Sequence, residues 1–96
     1  MRLRRAFKQV PVIDVPVNVI MRSAYFERGF HEARRGEPFD WRVGDAEADS
    51  NNAWNYERGR CFAFIAPLNM PLRIKGKLNP KAIALCDAAF NRNLIV

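Results

Sequence analysis

Three side chains in this chain of 96 residues could form a nucleophile or bind a metal: the single histidine, His31, and two cysteines, Cys61 and Cys86. A cysteine beside a histidine is an activated nucleophile, and both residue types are common zinc ligands. A nucleophilic pair would require His31 to meet a cysteine across the fold, but the surrounding pattern places His31 on the polar flank of a helix. The three residues also lack the spacing of a zinc site. We therefore predict no catalytic residues and no metal site.

Other patterns that carry chemistry are equally weak. The acidic residues of DAEAD, residues 45–49, alternate as in a calcium loop, but the glycine and the final glutamate of that loop are missing. No glycine-rich phosphate loop is present, and the two serines, Ser23 and Ser50, fit helix starts. These observations favour a binding protein without a cofactor over an enzyme.

The net charge of +6 is divided into three blocks along the chain. Residues 1–36 carry a net +5, residues 37–57 a net −5 and residues 58–96 a net +6. Twelve of the sixteen basic residues are arginine, whose planar guanidinium suits phosphate and carboxylate groups. Two explanations stay open: an ordinary solvated surface, or a negatively charged partner that is either nucleic acid or the acidic surface of a large protein.

The elements that position these groups are expected to form one small α+β domain over residues 1–96, because a chain of this length builds a single modest core. We predict a helical hairpin, a C-terminal helix, an N-terminal edge strand and a short second strand. The predicted strands cover 10–20 and about 72–75, and the predicted helices cover 21–35, about 50–66 and 80–91. A basic leader, 1–9, is expected to be mobile, and 37–50 to form an acidic loop.

Individual residues refine these boundaries. Gly36 suits a left-handed cap after the first helix, and Asn79 with Pro80 suits the start of the last helix. In the acidic loop, Phe39 and Trp41 are expected to fold back onto the core. The short strand is expected to place Leu72 and Ile74 opposite Arg73 and Lys75, and the last helix to bury Ile83, Cys86 and Phe90.

One phrase occurs twice, as FERGFHEA at 26–33 and as YERGRCFA at 56–63. Glycine inside a helix costs about 1 kcal/mol relative to alanine, so its repeated use requires a compensating contact. Small residues four positions apart let two helices approach closely. We therefore predict a helix crossing at two such pairs, Gly29 with Ala33 and Gly59 with Ala63. The Glu–Arg pairs would lie at its rim, either paired between the helices or facing a partner. The alternative is two unrelated helices with similar sequences.

The residues of this phrase resemble a known family. The run RGFHEARRG (28–36), the pair Pro38-Phe39 and the run YERGRCFA (56–63) are similar to ribosome modulation factor. Members of that family are small basic bacterial proteins with two short helices, which bind ribosomal RNA and protein near the messenger exit region and promote inactive ribosome dimers. The resemblance implies ribosome binding. The chain departs from the family by its N-terminal strand, its C-terminal helix and its acidic loop.

The whole chain, including WNYERGR at 54–60, also looks like small orphan proteins of phages and prophages. Such proteins commonly act in host takeover by docking on a nuclease complex such as RecBCD, a CRISPR complex, RNA polymerase or the ribosome. This resemblance implies an inhibitory or modulating role on a large host machine. No residue selects among these targets.

The predicted function is therefore a small basic, non-enzymatic binding protein that modulates a host assembly handling nucleic acid, with ribosome modulation factor-like rRNA binding as the alternative. We expect a cytoplasmic location in the bacterial host, because no run of apolar residues spans a membrane and no secretory signal is present. Arginine interleaved with aromatic residues suits RNA and protein partners equally. The predicted partner-binding residues are Arg34, Arg35, Trp54, Tyr56, Arg58, Arg60, Arg73, Lys75 and Lys77.

Overall fold

The fold is a small α+β domain, seen in a computed structural model that describes residues 16–46 and 50–95. The predicted leader, 1–9, and the first part of the predicted edge strand, 10–15, lie outside these residues. The described elements are helices α1 (Val17–Met21), α2 (Ala24–Arg34), α3 (Trp41–Ala46) and α4 (Ser50–Ile65), strands β1 (Arg73–Ile74) and β2 (Lys77–Leu78), and helix α5 (Pro80–Asn91).

Helix α4 is the centre of the fold. It packs along α2 on one side and also contacts α1, α3 and α5. The rings of Phe26 and Phe30 on α2 meet Phe62 on α4, with ring centres 6.1 and 5.7 Å apart. Met21 and Cys86 bring α1 and α5 into the same buried cluster. The predicted bounds of α4 and α5 are confirmed.

The prediction of an extended strand is wrong for residues 17–20, which belong to α1. Ile20 and Met21 are neighbours, and both are buried against the core. A strand would point two neighbouring side chains to opposite faces, whereas a helix turns both toward one side. Burial against α5 therefore outweighs the β propensity of the valines.

The first long helix begins later than predicted, at Ala24, because Ser23 forms its N-cap. The Ser23 hydroxyl accepts a hydrogen bond from the backbone N–H of Tyr25 at 3.2 Å. At the other end of α2, Gly36 has a φ of +76°, so the predicted left-handed cap is confirmed.

The predicted acidic loop contains the short helix α3. Its start is stabilised by Asp40, whose carboxylate accepts the backbone N–H of Arg42 at 3.0 Å. Phe39 does fold back, with its ring centre 5.3 Å from that of Tyr56. Trp41 does not, because it occupies the first position of α3 and its side chain points outward, leaving the residue 71% exposed.

The predicted short strand is one arm of a β-hairpin, in which Arg73 pairs with Leu78 and Ile74 with Lys77. Its two-residue turn, Lys75-Gly76, has positive φ at both positions, 53° and 80°. These angles are typical of the type I′ turn that joins tightly paired strands. Ile74 does not share the buried position of Leu72: it is 47% exposed, because the other face of the hairpin is the one turned inward.

Helix α5 begins as predicted, at Pro80 behind the Asn79 cap. The Asn79 side chain accepts the backbone N–H of Lys81 at 3.1 Å. The buried stripe of α5 is shifted from the predicted one. Cys86 is fully buried, Ala82 and Ala89 are buried beside it, and Ile83 and Phe90 are only partly buried.

Candidate binding surface

The predicted helix crossing is confirmed, and it is reciprocal. A Cβ atom added at Gly29 would overlap the backbone carbonyl oxygen of Tyr56, and one added at Gly59 would overlap that of Phe26. Phe26 and Tyr56 each lie three residues before the glycine of their own helix. The two copies of the repeated phrase therefore meet backbone to backbone, and this close approach explains why glycine is used twice.

The first of the two Glu–Arg pairs, Glu27 with Arg28, does not form the ion pair between the helices that one predicted alternative required. Glu27 binds Arg73 of β1 at 2.5 Å, and Arg28 binds Glu32 on its own helix at 2.7 Å. The ion pair that does join α2 and α4 involves the residue after the second glycine: Arg60 lies 3.8 Å from Glu32. Both helices are thus tied to neighbouring elements at their rims.

A buried polar cluster adjoins the crossing and is centred on Glu32. The Tyr56 hydroxyl donates a hydrogen bond to Glu32 Oε1 at 2.5 Å and accepts the backbone N–H of Asp40 at 3.0 Å. Burial raises the pKa of Glu32, but hydrogen bonds from Tyr56 and Arg28 lower it by more, so its net pKa lies below the ordinary value. Burial, together with the bond to Glu32, raises the pKa of Tyr56. The cluster therefore keeps an ionised carboxylate inside the fold.

Three of the predicted partner-binding residues lie in the interior, so their prediction as surface contacts is corrected. Tyr56 has no exposed surface, and Trp54 and Arg58 are 6% and 4% exposed. The Arg58 guanidinium donates to the Asn55 side chain at 2.8 Å and lies 5.7 Å from the Trp54 ring centre. Two aromatic residues and an arginine on a helix resemble a binding motif in sequence, but here they contribute to the fold.

Arg34 is a structural residue of the same kind. Its guanidinium donates to the backbone carbonyls of Pro67, Leu68 and Met70 at 2.5, 2.9 and 2.8 Å. It also lies over the Phe30 ring, 4.4 Å from the ring centre. The end of α2 therefore fixes the loop that follows α4, and the donors of Arg34 are directed toward this loop.

Arg60 and Arg73 are also tied internally. Arg60 donates to the backbone carbonyl of Glu37 at 2.8 Å and lies 5.7 Å from the Phe39 ring centre. Arg73 binds Glu27 and donates to the Gly76 carbonyl at 2.9 Å. Arg35 is more exposed, but it pairs with Glu37 at 2.5 Å.

Of the nine predicted partner-binding residues, Lys75 and Lys77 are the ones left on the surface without an ion pair among the described residues. Arg22, at the end of α1, is exposed and has no ion-pair partner in that part of the chain either. The same holds for Lys81 and Arg92, which the sequence did not single out. Both lie on α5 or at its end. Lys75, Lys77, Lys81 and Arg92 are called the basic surface below.

The most exposed large apolar side chains form a second candidate surface. Phe64, in the last turn of α4, is 80% exposed, and Leu68, in the next loop, is 85% exposed. Leu68 belongs to the loop that Arg34 fixes through three carbonyls, so its outward position is held by hydrogen bonds. Phe64 and Leu68 together are called the apolar patch below.

The sequence carried little signal for the apolar patch. Phe64 lies in CFAFIA, a run that is apolar on every side of the helix, and such a helix is normally buried all round. Which side chain of this run remains exposed depends on the elements that pack against α4, and these elements come from distant parts of the chain. For Lys81, the signal was available: three of the four lysines lie between residues 75 and 81.

The cysteines and the histidine do not form a chemical site within the described residues. Among the described residues, no disulfide joins the two cysteines; Cys86 is fully buried, Cys61 is half-buried, and His31 is exposed on α2 as predicted. Burial, with the neighbouring Asp87 charge, raises the pKa of Cys86 to about 12. No group of three potential metal ligands occurs in the described part of the chain. Nor does any helix there have the length and apolar character needed to cross a membrane.

Comparison of the chain with protein-family models, with curated proteins and with solved structures finds no match. The functional argument therefore depends on the two surfaces themselves and on the chemistry of their residues.

Proposed function

We propose that this chain is a non-enzymatic binding protein of phage type that docks on a large host assembly handling nucleic acid and modulates or inhibits it. A RecBCD-type nuclease and a CRISPR complex are assemblies of this kind, and the site of action would be the cytoplasm of the host bacterium. The phage origin rests on the sequence resemblance described above. The docking contact is assigned to a protein component of the assembly, through the apolar patch.

The observation that carries this proposal is the outward position of Phe64 and Leu68, at 80% and 85% exposure. Full burial of one such side chain contributes roughly 1.5–3 kcal/mol, so a partner that covered both would gain binding energy. Large apolar side chains surrounded by polar residues are typical anchors of protein–protein contacts. The rigid loop around Leu68 reduces the conformational entropy that docking would cost.

The charges near the patch favour a partner with acidic groups around an apolar pocket. Arg34 lies directly behind Leu68, and Arg35 is its exposed neighbour on α2. The chain as a whole carries +6. Opposite charge on the partner would speed association and fix the orientation of the complex.

A second candidate function is ribosome modulation factor-like binding to the ribosome and its RNA. One observation supports it: the segments that carry the resemblance, 28–36 and 56–63, lie on α2 and α4, and their glycines meet at one crossing. A compact helix pair of this kind is what the resemblance implies. In this candidate, RNA rather than a protein pocket supplies most of the binding energy.

The two candidates are separated by affinity purification from bacterial lysate with and without nuclease, read by mass spectrometry. The bait is the full chain, compared with the double variant Phe64→Ser/Leu68→Ser. The matched control is Val19→Ser/Leu94→Ser, which also removes two exposed apolar side chains, 47% and 50% exposed, from other places.

The proposed function predicts a stoichiometric protein partner that survives nuclease, is lost with the Phe64/Leu68 variant and is kept with the control. Recovery of ribosomal proteins that nuclease releases would favour the second candidate, because phosphate contacts dominate RNA binding. If the patch variant and the control recover the same partner equally, the apolar patch is not the docking site and the first candidate is wrong.

A further inference from the structure

We infer that the basic surface formed by the hairpin and α5 binds the phosphate backbone of double-stranded nucleic acid without reading its sequence. This inference extends the proposed function, because a protein docked on a nucleic-acid-handling machine lies close to the nucleic acid that the machine holds. It concerns a different part of the fold from the apolar patch. It is also tested with the purified chain alone, so its outcome is independent of the docking partner.

The first step is the charge of this region. Residues 58–96 contain seven basic residues and a single acid, Asp87. Arg58, Arg60 and Arg73 of this segment are used inside the fold. The four cations of the basic surface remain exposed, and the ion pairs of the described residues do not include them. A surface of this kind attracts polyanions.

The second step is the arrangement of the cations along α5. Lys81 and Arg92 are eleven residues apart, which is close to three helical turns, so they lie on the same side of the helix and roughly 16 Å apart. The exposed Ala88 and Leu85, which is partly buried against the core, lie between them on that side. Asp87 lies about a third of a turn away. The result is a low, smooth strip with a cation at each end, which a rod-like duplex can approach closely.

The third step is that lysine is a poor structural choice at two of these positions. Lys75 has a φ of 53°, a conformation that favours asparagine or glycine in a type I′ turn. Lys81 lies in the first turn of α5, where the helix dipole disfavours a cation by roughly 0.3–1 kcal/mol. Both lysines therefore oppose local stability, which points to a role in binding.

The fourth step identifies the form of nucleic acid. Binding of single strands depends on aromatic side chains on which bases stack. The exposed large aromatic residues of the described chain, Trp41 and Phe64, lie on α3 and α4, and the basic surface has none. Lysine also binds phosphate as a point charge, without the planar donor fork of arginine. The residues therefore suit a duplex backbone.

The test measures filter binding of purified full-length protein to radiolabelled probes of about 20 base pairs, over a range of salt concentrations. The probes are a DNA duplex, an RNA duplex of the same sequence and the corresponding RNA single strand. The test variant is Lys75→Asn/Lys77→Gln. The control is Arg35→Ala/Arg42→Ala, which also removes two exposed charges. These residues lie at the end of α2 and in the first turn of α3, outside the basic surface.

The chain should bind both duplexes within a factor of about ten of each other, with log K falling by about three to four per tenfold rise in salt if four phosphates are contacted. The test variant should lose about tenfold or more in affinity at 0.1 M salt, and its salt slope should fall by about two. The control should keep both values. Lys75→Asn alone should raise the melting temperature, and a thermal melt of the test variant itself checks that lost binding does not come from unfolding.

Three outcomes would overturn the inference. The first is the absence of duplex binding at low salt. The second is an equal loss of affinity in the test and control variants, which would mean that net charge alone attracts the probe. The third is tighter binding of the single strand, which would mean that base stacking outweighs phosphate contact.

Discussion

The helix pair α2–α4 and the unit of hairpin and α5 use their positive charges in opposite ways. In the helix pair, arginines donate to acceptors of the fold itself: Arg34 to three loop carbonyls and Arg28 to Glu32. In the second unit, lysines project outward, and Lys75 and Lys81 lie where lysine weakens the local structure. Arg73 is the exception, because it binds Glu27 and so attaches the hairpin to α2.

The difference teaches that the type of cation indicates its use. A guanidinium presents five N–H donors in a fixed plane and can satisfy several backbone carbonyls at once, as Arg34 does. An ammonium group is a compact, strongly hydrated charge and is costly to bury. In this chain, the arginines near the core behave as structural donors, and the three lysines of the described residues form the basic surface together with Arg92.

The largest expected effect tests the close packing of the helix pair α2–α4. Replacement of Gly59 by leucine should lower the free energy of unfolding by about 3 kcal/mol, because even a Cβ atom there overlaps the Phe26 carbonyl. Urea denaturation measures the change. Ala84→Leu places the same side chain on an exposed position of α5 and should have little effect. Equal stability of the two variants would show that the helices do not cross at the glycines.

The next effect separates two neighbouring arginines. Arg34→Met should destabilise the fold by about 1.5 kcal/mol, because three carbonyls lose a charged donor. Arg35→Met removes an exposed, solvent-screened ion pair and should leave the stability nearly unchanged. Thermal melts of the two variants measure the difference. Equal costs would mean that Arg34 does not hold the loop, and the basis for a rigid Leu68 would be lost.

A smaller effect depends on pH. Because the net pKa of Glu32 in the folded chain lies below its ordinary value of 4.5, the stability that its ionised form contributes is complete above that value. It is lost as the pH falls through the lower, folded pKa. Glu32→Gln should cost about 1 kcal/mol at pH 7 and should reduce the loss of stability on acidification below about pH 4.5.

Melting curves at pH 7, 4 and 3 measure this pH dependence for the wild type and Glu32→Gln. Asp87→Asn, at an exposed acid on α5, is the control and should follow the wild type. If Glu32→Gln loses stability on acidification as steeply as the wild type, the carboxylate is not held ionised in the fold.

The smallest effect tests the exposed lysines of the hairpin and α5. Lys81→Glu should stabilise the fold by about 0.5 kcal/mol, because an acid in the first turn of α5 interacts favourably with the helix dipole. The same change should weaken duplex binding. Ala84→Glu, one turn further along the helix, is the control and should stabilise it less. If Lys81→Glu lowers the stability instead, Lys81 stabilises the fold and is not a lysine kept only for binding.

The parts of the fold that the sequence predicted are those with a local physical cause. Gly29 and Gly59 are costly inside helices, and close approach is one of few contacts that offsets the cost. Asn79 with Pro80 starts a helix through a cap that needs no distant partner. These features were readable because each requires only its own neighbours in the chain.

The parts that could not be predicted depend on distant neighbours. Residues 17–19 continue the alternation of a strand, but burial of the next two residues against the core makes 17–21 helical. Arg34 looks like a surface cation until its three acceptors, 33 to 36 residues further on, are known. Phe64 looks buried because the last turns of its helix are apolar all round, yet it is 80% exposed. A sequence pattern gives residue types but not the partners that satisfy them.

The two tryptophans stand in contrasting environments, and this gives the molecule two built-in optical reporters. Trp54 is 6% exposed and lies beside the Arg58 guanidinium, so its emission should respond to unfolding of the core. Trp41 is 71% exposed, so its emission should be quenched by soluble iodide in the free protein. Single-tryptophan variants would follow unfolding and surface shielding separately, without an added dye.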